Sequence, residues 1–179
     1  MRWILSGIDS LIQYKNEIVP NLDQLRPEKC IYCGKAHPWR HATYSRKSDR
    51  VNEANNSLNS IIIQRYFCPE CGKTFSVLPE CIPPHRWYPW DIQQAVLILS
   101  LLGKSAYAIA KETIPSHHTI TRWIVRFNEQ FILHKDTLCV RFNEFGRTSG
   151  LAEFWQACFE QITLGAAMRL CHKAGVFIP

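Results

Sequence analysis

The chain has 179 residues, enough for one domain or for two small ones. Its composition, 46% hydrophobic and 20% charged, is that of a soluble globular protein, and its net charge of +6 favours an anionic partner. The sequence contains no run of about 18 apolar residues, so it predicts no membrane span. Its first residues lack the apolar core of a signal peptide. We therefore expect a cytoplasmic protein whose cysteines are reduced.

The first predicted element is a short helix near the start of the chain. Apolar residues recur at loose helical spacing between Ile8 and Val19, and Pro20 is expected to end the helix. A linker up to Pro27 follows. Residues 1–27 are thus interpreted as an N-terminal helix and linker.

Two copies of a C-x-x-C-G-K pattern come next, at residues 30–35 and 68–73. Each places two sulfurs on one tight turn, which a glycine in the left-handed conformation can close. Four thiolates form a tetrahedral structural zinc site. A redox dithiol would need only one such pair, beside a βαβ pattern that this sequence lacks. We expect Zn²⁺ rather than iron at this site. Its predicted ligands are Cys30, Cys33, Cys68 and Cys71.

The residues around these two knuckles predict a zinc ribbon over residues 28–78. Residues 60–67 are β-branched and aromatic, residues 74–78 suit a returning strand, and the polar residues 48–59 suit an exposed tip. Because so small a core is unstable alone, metal binding would supply folding energy. Four basic side chains in this region are candidate phosphate contacts: Arg40, Arg46, Lys47 and Arg50.

Residues 79–89 are rich in proline and aromatic side chains and predict a semi-rigid linker. Cys81 and His85 in this linker are spare candidate ligands, but the four knuckle thiolates already complete a structural site. A helix then begins at Trp90, with Asp91 as its N-cap, and ends at Gly103.

Two further helices follow, and the three together have the spacing of a helix-turn-helix over residues 90–132. The second helix is expected from Ser105 to Glu112, the third from Ser116, and Ile109, Ile114, Ile120 and Ile124 are expected in a shared core. In this motif the last of the helices, here the third predicted helix, faces base edges in the major groove with its first residues. The alternative is a plain three-helix bundle with a solvated polar face.

The predicted contacts with double-stranded DNA are of two kinds. Arginine can pair with guanine, and histidine and threonine can bond to base edges. The free N–H groups at a helix start suit a phosphate. The candidates for base contacts are His117, His118, Thr119, Thr121 and Arg122, and those for phosphate contacts are Lys104, Ser116 and Arg126.

Residues 133–179 predict an irregular stretch and then one long amphipathic helix over 151–173. Its apolar residues recur at steps of three and four, from Leu151 to Leu170. This stripe either packs on the helix-turn-helix core or forms a homodimer seam through residues 151–173.

The whole pattern resembles the N-terminal DNA-binding region of bacterial insertion-sequence transposases, a zinc ribbon followed by a helix-turn-helix. The resemblance rests on residues 30–34, 63–71, 73–76 and 105–123. It implies recognition of the terminal repeats of an element, a nucleoid-associated location in the cytoplasm, and a separate catalytic transposase subunit as a partner.

The resemblance does not extend to catalysis. Full transposases of this kind carry a ribonuclease-H-like domain, whereas only 48 residues follow Phe131 and they show no alternation of strands and helices. We therefore expect no enzyme activity.

The resulting prediction is an α+β chain that binds DNA in a sequence-specific, zinc-dependent way, at insertion-sequence ends or at an operator. Two alternatives stay open. One is a protein–protein adaptor. The other is a binder of single-stranded nucleic acid or RNA that stacks bases on Trp39, His41, Tyr44 or Tyr66.

Overall fold

The computed structural model describes residues 2–5, 7–8, 10–47, 60–83 and 88–176. The chain divides into two compact units, Met1–Pro89 and Trp90–Pro179. The described part of the first unit contains a four-stranded sheet, and that of the second is helical. The predicted α+β class is confirmed, whereas the finer domain divisions stay predictions.

The sheet of the first unit has the order β1-β4-β3-β2. Strand β1 runs parallel to β4, and the other neighbours are antiparallel. The expected strands at residues 60–67 and 74–78 are found. The prediction missed β1, because four residues are too few for an alternating pattern to stand out. The strands are β1 (Arg2–Leu5), β2 (Trp39–Arg46), β3 (Ile61–Phe67) and β4 (Thr74–Pro79).

The N-terminal helical segment differs from the regular helix that the sequence predicts. Only α1 (Leu11–Gln13) is α-helical, and a π-helical turn (Tyr14–Ile18) and a 3₁₀-helix (Val19–Leu25) follow it. The segment packs through the fully buried Tyr14, whose hydroxyl donates to the carbonyl of Ile62 at 2.9 Å. Packing on the sheet, rather than helical spacing, therefore decides its conformation.

The second unit contains six α-helices in its described part, with a 3₁₀-helix at Asn143–Arg147. None of the helices in the described ranges is long and apolar enough to cross a membrane. The three helices predicted from residue 90 onward are present. The α-helices are α2 (Trp90–Leu101), α3 (Ala106–Glu112), α4 (His117–Glu129), α5 (Phe131–Cys139), α6 (Leu151–Gln161) and α7 (Leu164–Lys173).

Helix α5 lies where the sequence predicts an irregular stretch. Its apolar residues Ile132 and Leu133 are exposed, while the polar His134 is fully buried together with Leu138. This inversion of the usual pattern conceals the helix from a search for an apolar stripe.

The predicted single helix over residues 151–173 is in fact two helices. Ile162 is extended (φ −138°, ψ 152°), and Thr163 caps α7 by accepting the Ala166 N–H on its hydroxyl at 3.2 Å. Gly165 then allows close packing, since a Cβ there would lie 3.0 Å from the Trp90 ring.

The apolar stripe of α6 and α7 forms the core of its own unit. Phe154, Trp155 and Cys158 are fully buried there, against Leu97 from α2 and Phe127 from α4. The packing interpretation therefore accounts for the stripe. The homodimer stays a prediction, and its surface would have to consist of other residues.

Candidate metal centre and candidate nucleic-acid interface

The two knuckles have the same local geometry. In each, the glycine has a positive φ, 72° at Gly34 and 65° at Gly72. Its N–H donates to the carbonyl of the first cysteine, Cys30 or Cys68, at 2.9 Å in both cases. The first cysteine's N–H in turn donates to the carbonyl of the lysine that ends the pattern, at 2.7 and 3.0 Å. The repeated sequence thus folds into the same turn twice.

These turns bring the four predicted ligands together. The sulfurs of Cys30, Cys33, Cys68 and Cys71 all lie within 4.8 Å of one another. The Cys30–Cys71 distance is 3.8 Å and the Cys33–Cys68 distance is 3.6 Å. Sulfurs held about 2.3 Å from a tetrahedral zinc ion are themselves about 3.8 Å apart. The cluster therefore fits a metal ion of this kind, and all four ligands would be cysteine thiolates.

Protonation of the cluster follows from the crowding of its sulfurs. Burial raises the pKa of Cys30, but hydrogen bonds from the Tyr32 and Cys33 N–H groups and from neighbouring thiols lower it on balance to about 7. A hydrogen bond from the Lys35 N–H lowers the pKa of Cys33, yet burial and the other three thiols raise it to about 12. Four thiolates so close together repel one another, so a cation must compensate their charge as the protons leave.

The cluster lies beside a small aromatic core. Cys30 and Cys68 are buried with Tyr66, Phe75 and Val77. The Tyr66 and Phe75 rings stack with their centroids 5.9 Å apart. Tyr66, offered by the sequence as a base-stacking group, is fully buried and cannot serve as one.

Cys81, one of the two spare candidate ligands, is not part of the cluster. Cys81 packs against the other apolar cluster of the first unit, around Tyr14. Among the described residues the only group of ligating side chains is the four-cysteine set. His85 lies outside the described residues.

The candidate phosphate contacts of the first unit are partly engaged. Arg40 forms an ion pair with Asp23 and donates to the Gln64 side chain at 3.3 Å. Arg46 donates to the Pro83 carbonyl at 2.7 Å. Lys47 is exposed at the end of β2. Arg50 lies outside the described residues.

In the second unit, four residues join α3 to α4, and the two helices pack on each other. The Ser105 hydroxyl caps α3 by accepting the Ala108 N–H at 3.2 Å. Ile109 on α3 and Ile120 and Trp123 on α4 are buried. Ile114, expected in this core, is instead 53% exposed in the connection between α3 and α4.

Most of the predicted base contacts share the exposed side at the start of α4. His117, His118, Thr121 and Arg122 are exposed, whereas Thr119 is half-buried. Arg122 donates to the His118 carbonyl at 3.3 Å and to the Thr119 hydroxyl at 3.4 Å, both long bonds. The Thr121 hydroxyl donates to the His117 carbonyl at 2.9 Å.

The predicted phosphate contacts of this unit differ in availability. Ser116 is the N-cap of α4, and its hydroxyl lies 3.2 Å from that of Thr119. Arg126 is half-buried one turn after Arg122. Lys104 is held by Glu112 at 2.7 Å.

Comparison with known protein families gives a match for about half of the chain. A family model described as "Domain of unknown function (DUF6431)" matches residues 30–123. The chain belongs to this family. No curated protein and no solved structure matches the chain. The DUF6431 match runs from the first metal-cluster cysteine into α4, so the matched segment includes the cysteine cluster, α3 and the first half of α4.

Within the DUF6431 segment, the structure adds two residues that the sequence analysis missed. Tyr107 on α3 is 64% exposed, and its ring lies 6.4 Å from that of His117. The Lys111 amine lies 4.7 Å from the centre of the Tyr107 ring. Both side chains therefore extend the exposed face of α4 onto α3. Their only signal in the sequence was their spacing of four residues, which puts them on one side of a helix.

Proposed function

We propose that this chain is a sequence-reading protein for double-stranded DNA, stabilised by a structural zinc ion and related in type to the DNA-binding region of transposases. The observation that carries the proposal is the exposed start of α4. Residues 117–126 contain two arginines and two histidines and no acid. A surface with this charge favours phosphate and base edges over a neutral partner.

The packing of α3 and α4 supports a helix-turn-helix. The connection of four residues has the length typical of this motif. Ile109 on α3 and Ile120 and Trp123 on α4 are buried, whereas most side chains in the first turns of α4 are exposed. The second helix of such a motif enters the major groove with its N-terminal residues first.

Within this face, Arg122 is the proposed reader of guanine. Its present bonds to the His118 carbonyl and the Thr119 hydroxyl are long, so a base edge can replace them at small cost. His118 and Thr121 would contact neighbouring base edges. Lys111 and the N–H groups beside Ser116 would bind phosphates, which fix the register of the helix on the duplex.

The cysteine cluster has a structural role in this proposal. Cys30, Cys33, Cys68 and Cys71 would hold the zinc ion, and the ion would contribute folding energy. A zinc ion with four thiolate ligands has no open position for water, so we propose no enzymatic role for it. The DNA site would be an insertion-sequence end or an operator, as the resemblance to transposases implies.

The test is selection of duplexes from a random library by the zinc-loaded chain. We expect an enriched sequence motif. Arg122→Ala should weaken binding to the selected duplex by about 1–3 kcal/mol, roughly five- to 150-fold, and relax preference at one position. Arg141→Ala is the matched control, because it removes the same charge from an exposed position outside α3 and α4.

Two results would contradict the proposal. One is a folded Arg122→Ala protein that binds the selected duplex as tightly as the parent. The other is salt-sensitive binding without any enriched motif, which would mean phosphate contacts alone.

An adaptor function is the second candidate, and exposed apolar side chains favour it. Ile132, Leu133 and Val140 around α5 are all more than half exposed, with Val140 at 85%. Large apolar residues left on a surface are typical of protein docking sites. This candidate predicts no binding to any duplex at low salt.

A further inference from the structure

The outer side of β2 is an exposed surface of the first unit that the proposed function does not use. Strand β2 is at the edge of the sheet, and its side chains from Trp39 to Thr43 are all exposed. The regular pairing of β2 with β3 is interrupted between Arg40 and Ala42, so His41 is the extra residue of a bulge. Bulges turn a side chain in a new direction and are common beside functional sites.

Three rings are gathered at this bulge. Trp39 lies directly opposite Phe67 on β3, so both side chains extend from the same face of the sheet. The His41 ring lies 6.1 Å from the Phe67 ring. Trp39 is 58% exposed, and Phe67 is half-buried. We call Trp39, His41 and Phe67 the ring platform.

A cation extends the ring platform along the strands. Arg65, two residues before Phe67, is on the same face, and its guanidinium lies 5.2 Å from the centre of the Tyr44 ring. Lys47 is exposed just beyond β2. Strands β2 and β3 together contain three arginines and no acid. Arg40 is paired with Asp23 and Arg46 bonds to the Pro83 carbonyl, so the cations available here are Arg65 on this face and the exposed Lys47 beyond β2.

We propose that the ring platform binds a short stretch of single-stranded nucleic acid. Bases would stack on Trp39, His41 and Phe67, and Arg65 and Lys47 would contact the phosphates. From Trp39 to Tyr44 the strand spans about 16 Å at roughly 3.3 Å per residue, which leaves room for about two or three bases. This inference goes beyond the proposed function, because it concerns a different unit and a different form of nucleic acid.

Three physical points favour single strands over other partners. A duplex keeps its base faces stacked inside, so it cannot use exposed rings, whereas unpaired bases can. Ala42 and Thr43 beside the rings are small, which allows a close approach to the strand. A peptide would instead pair with the free edge of β2 through its main chain, and would not need the arginines.

The experiment measures binding of labelled oligomers of about 12 nucleotides, oligo-dT and oligo-U, to the zinc-loaded full chain by fluorescence anisotropy. We expect both to bind, with a salt dependence. Trp39→Ala should weaken binding roughly fivefold or more, because one stacked base is lost. A preference for oligo-U over oligo-dT would identify RNA as the target, and the reverse would identify DNA.

The matched control is Ile62→Ala, which removes an exposed apolar side chain from the opposite face of β3. It should leave oligomer binding unchanged. Arg122→Ala should also leave it unchanged, so a failure of the duplex proposal and a failure of this one are distinguishable. The inference is overturned if neither oligomer binds, or if folded Trp39→Ala and Ile62→Ala proteins bind alike. Selective capture of an extended peptide in place of the oligomers would likewise overturn it.

Discussion

At the scale of single residues, Trp155 is the centre of the second unit. It is fully buried, with ring centroids 4.3 Å from Phe127, 5.2 Å from Phe154 and 5.4 Å from Phe159. The His134 ring meets it edge-on at 5.9 Å. Aromatic rings at these distances add packing energy to the burial of their area.

Trp155→Ala should therefore be among the most destabilising substitutions in this unit. Truncation of a buried tryptophan to alanine costs about 3–5 kcal/mol, because a cavity remains where the ring was. Val140→Ala, at an 85% exposed position, should change stability by less than about 0.5 kcal/mol. Urea unfolding followed by circular dichroism measures both. A loss below about 1 kcal/mol for Trp155→Ala would contradict this account.

At the scale of elements, the start of α6 shows how a charge stabilises a helix end. The Glu153 carboxylate accepts hydrogen bonds from the Ser149 N–H at 2.7 Å and from the Ser149 hydroxyl. These bonds hold the pKa of Glu153 below its ordinary value. A carboxyl whose pKa is lowered on folding stabilises the fold above its unfolded pKa, about 4.3 for glutamate. That stabilisation disappears as the pH falls through the folded pKa.

We expect Glu153→Gln to lower the melting temperature at pH 7, and the difference from the parent to shrink at pH 3. As the pH falls, protonation of the carboxyl removes the charge that these hydrogen bonds stabilise. Glu160→Gln, at another exposed acid of α6, is the control for a general effect of charge. Thermal melts at the two pH values measure the effect. An equal deficit at both values would mean that the charge of Glu153 plays no part.

The elements also separate what sequence predicts from what it does not. The knuckles and the start of α4 are specified locally, by C-x-x-C-G-K and by a serine ahead of an apolar stripe, so their positions were predictable. β1 pairs with β4 across the length of the unit, and α5 buries His134 while exposing Ile132. The break at Ile162 interrupts an otherwise regular stripe. Tertiary packing decides the first two features, which local pattern does not show, whereas Thr163, the N-cap of α7, is a local signal of the break.

The candidate site likewise has a part that local sequence predicts and a part that depends on strand register. The cysteine cluster follows from spacing, but the ring platform depends on a bulge that places His41 beside Phe67. Likewise Ile114 has the residue type of a core position, yet it is exposed in the connection between α3 and α4. Sequence gives the kinds of side chain available, and the register of strands and turns decides which of them meet.

At the scale of the whole molecule, each unit has its own core. The three apolar clusters in the described part of the chain each contain residues of one unit only. Beside the cysteines, the smallest cluster buries Tyr66, Phe75 and Val77 and little else. Stability in the first unit should therefore depend on the metal, whereas the second unit should fold on its aromatic core alone.

Removal of the metal tests this difference. After treatment with a strong chelator, amide hydrogen exchange should become fast in β3 and β4 and stay slow in α6 and α7. Cys68→Ala should give the same pattern without a chelator, while Cys158→Ala, which changes a buried cysteine of the second unit, should leave the sheet protected. Simultaneous loss of protection in both units would show that they fold as one.

The parallel pairing of β1 with β4 has a consequence for synthesis of the protein. Leu5 pairs with Pro79, so β1 must wait during synthesis until β4, the last strand of its sheet along the chain, has been made. At about 5–20 residues per second, that wait is roughly 4–15 s. During this time β1 lacks β4, its one neighbour in the sheet, and the first knuckle has no second knuckle with which to share a metal ion. The nascent chain is therefore most open to chaperones and to misassociation before Thr74 emerges.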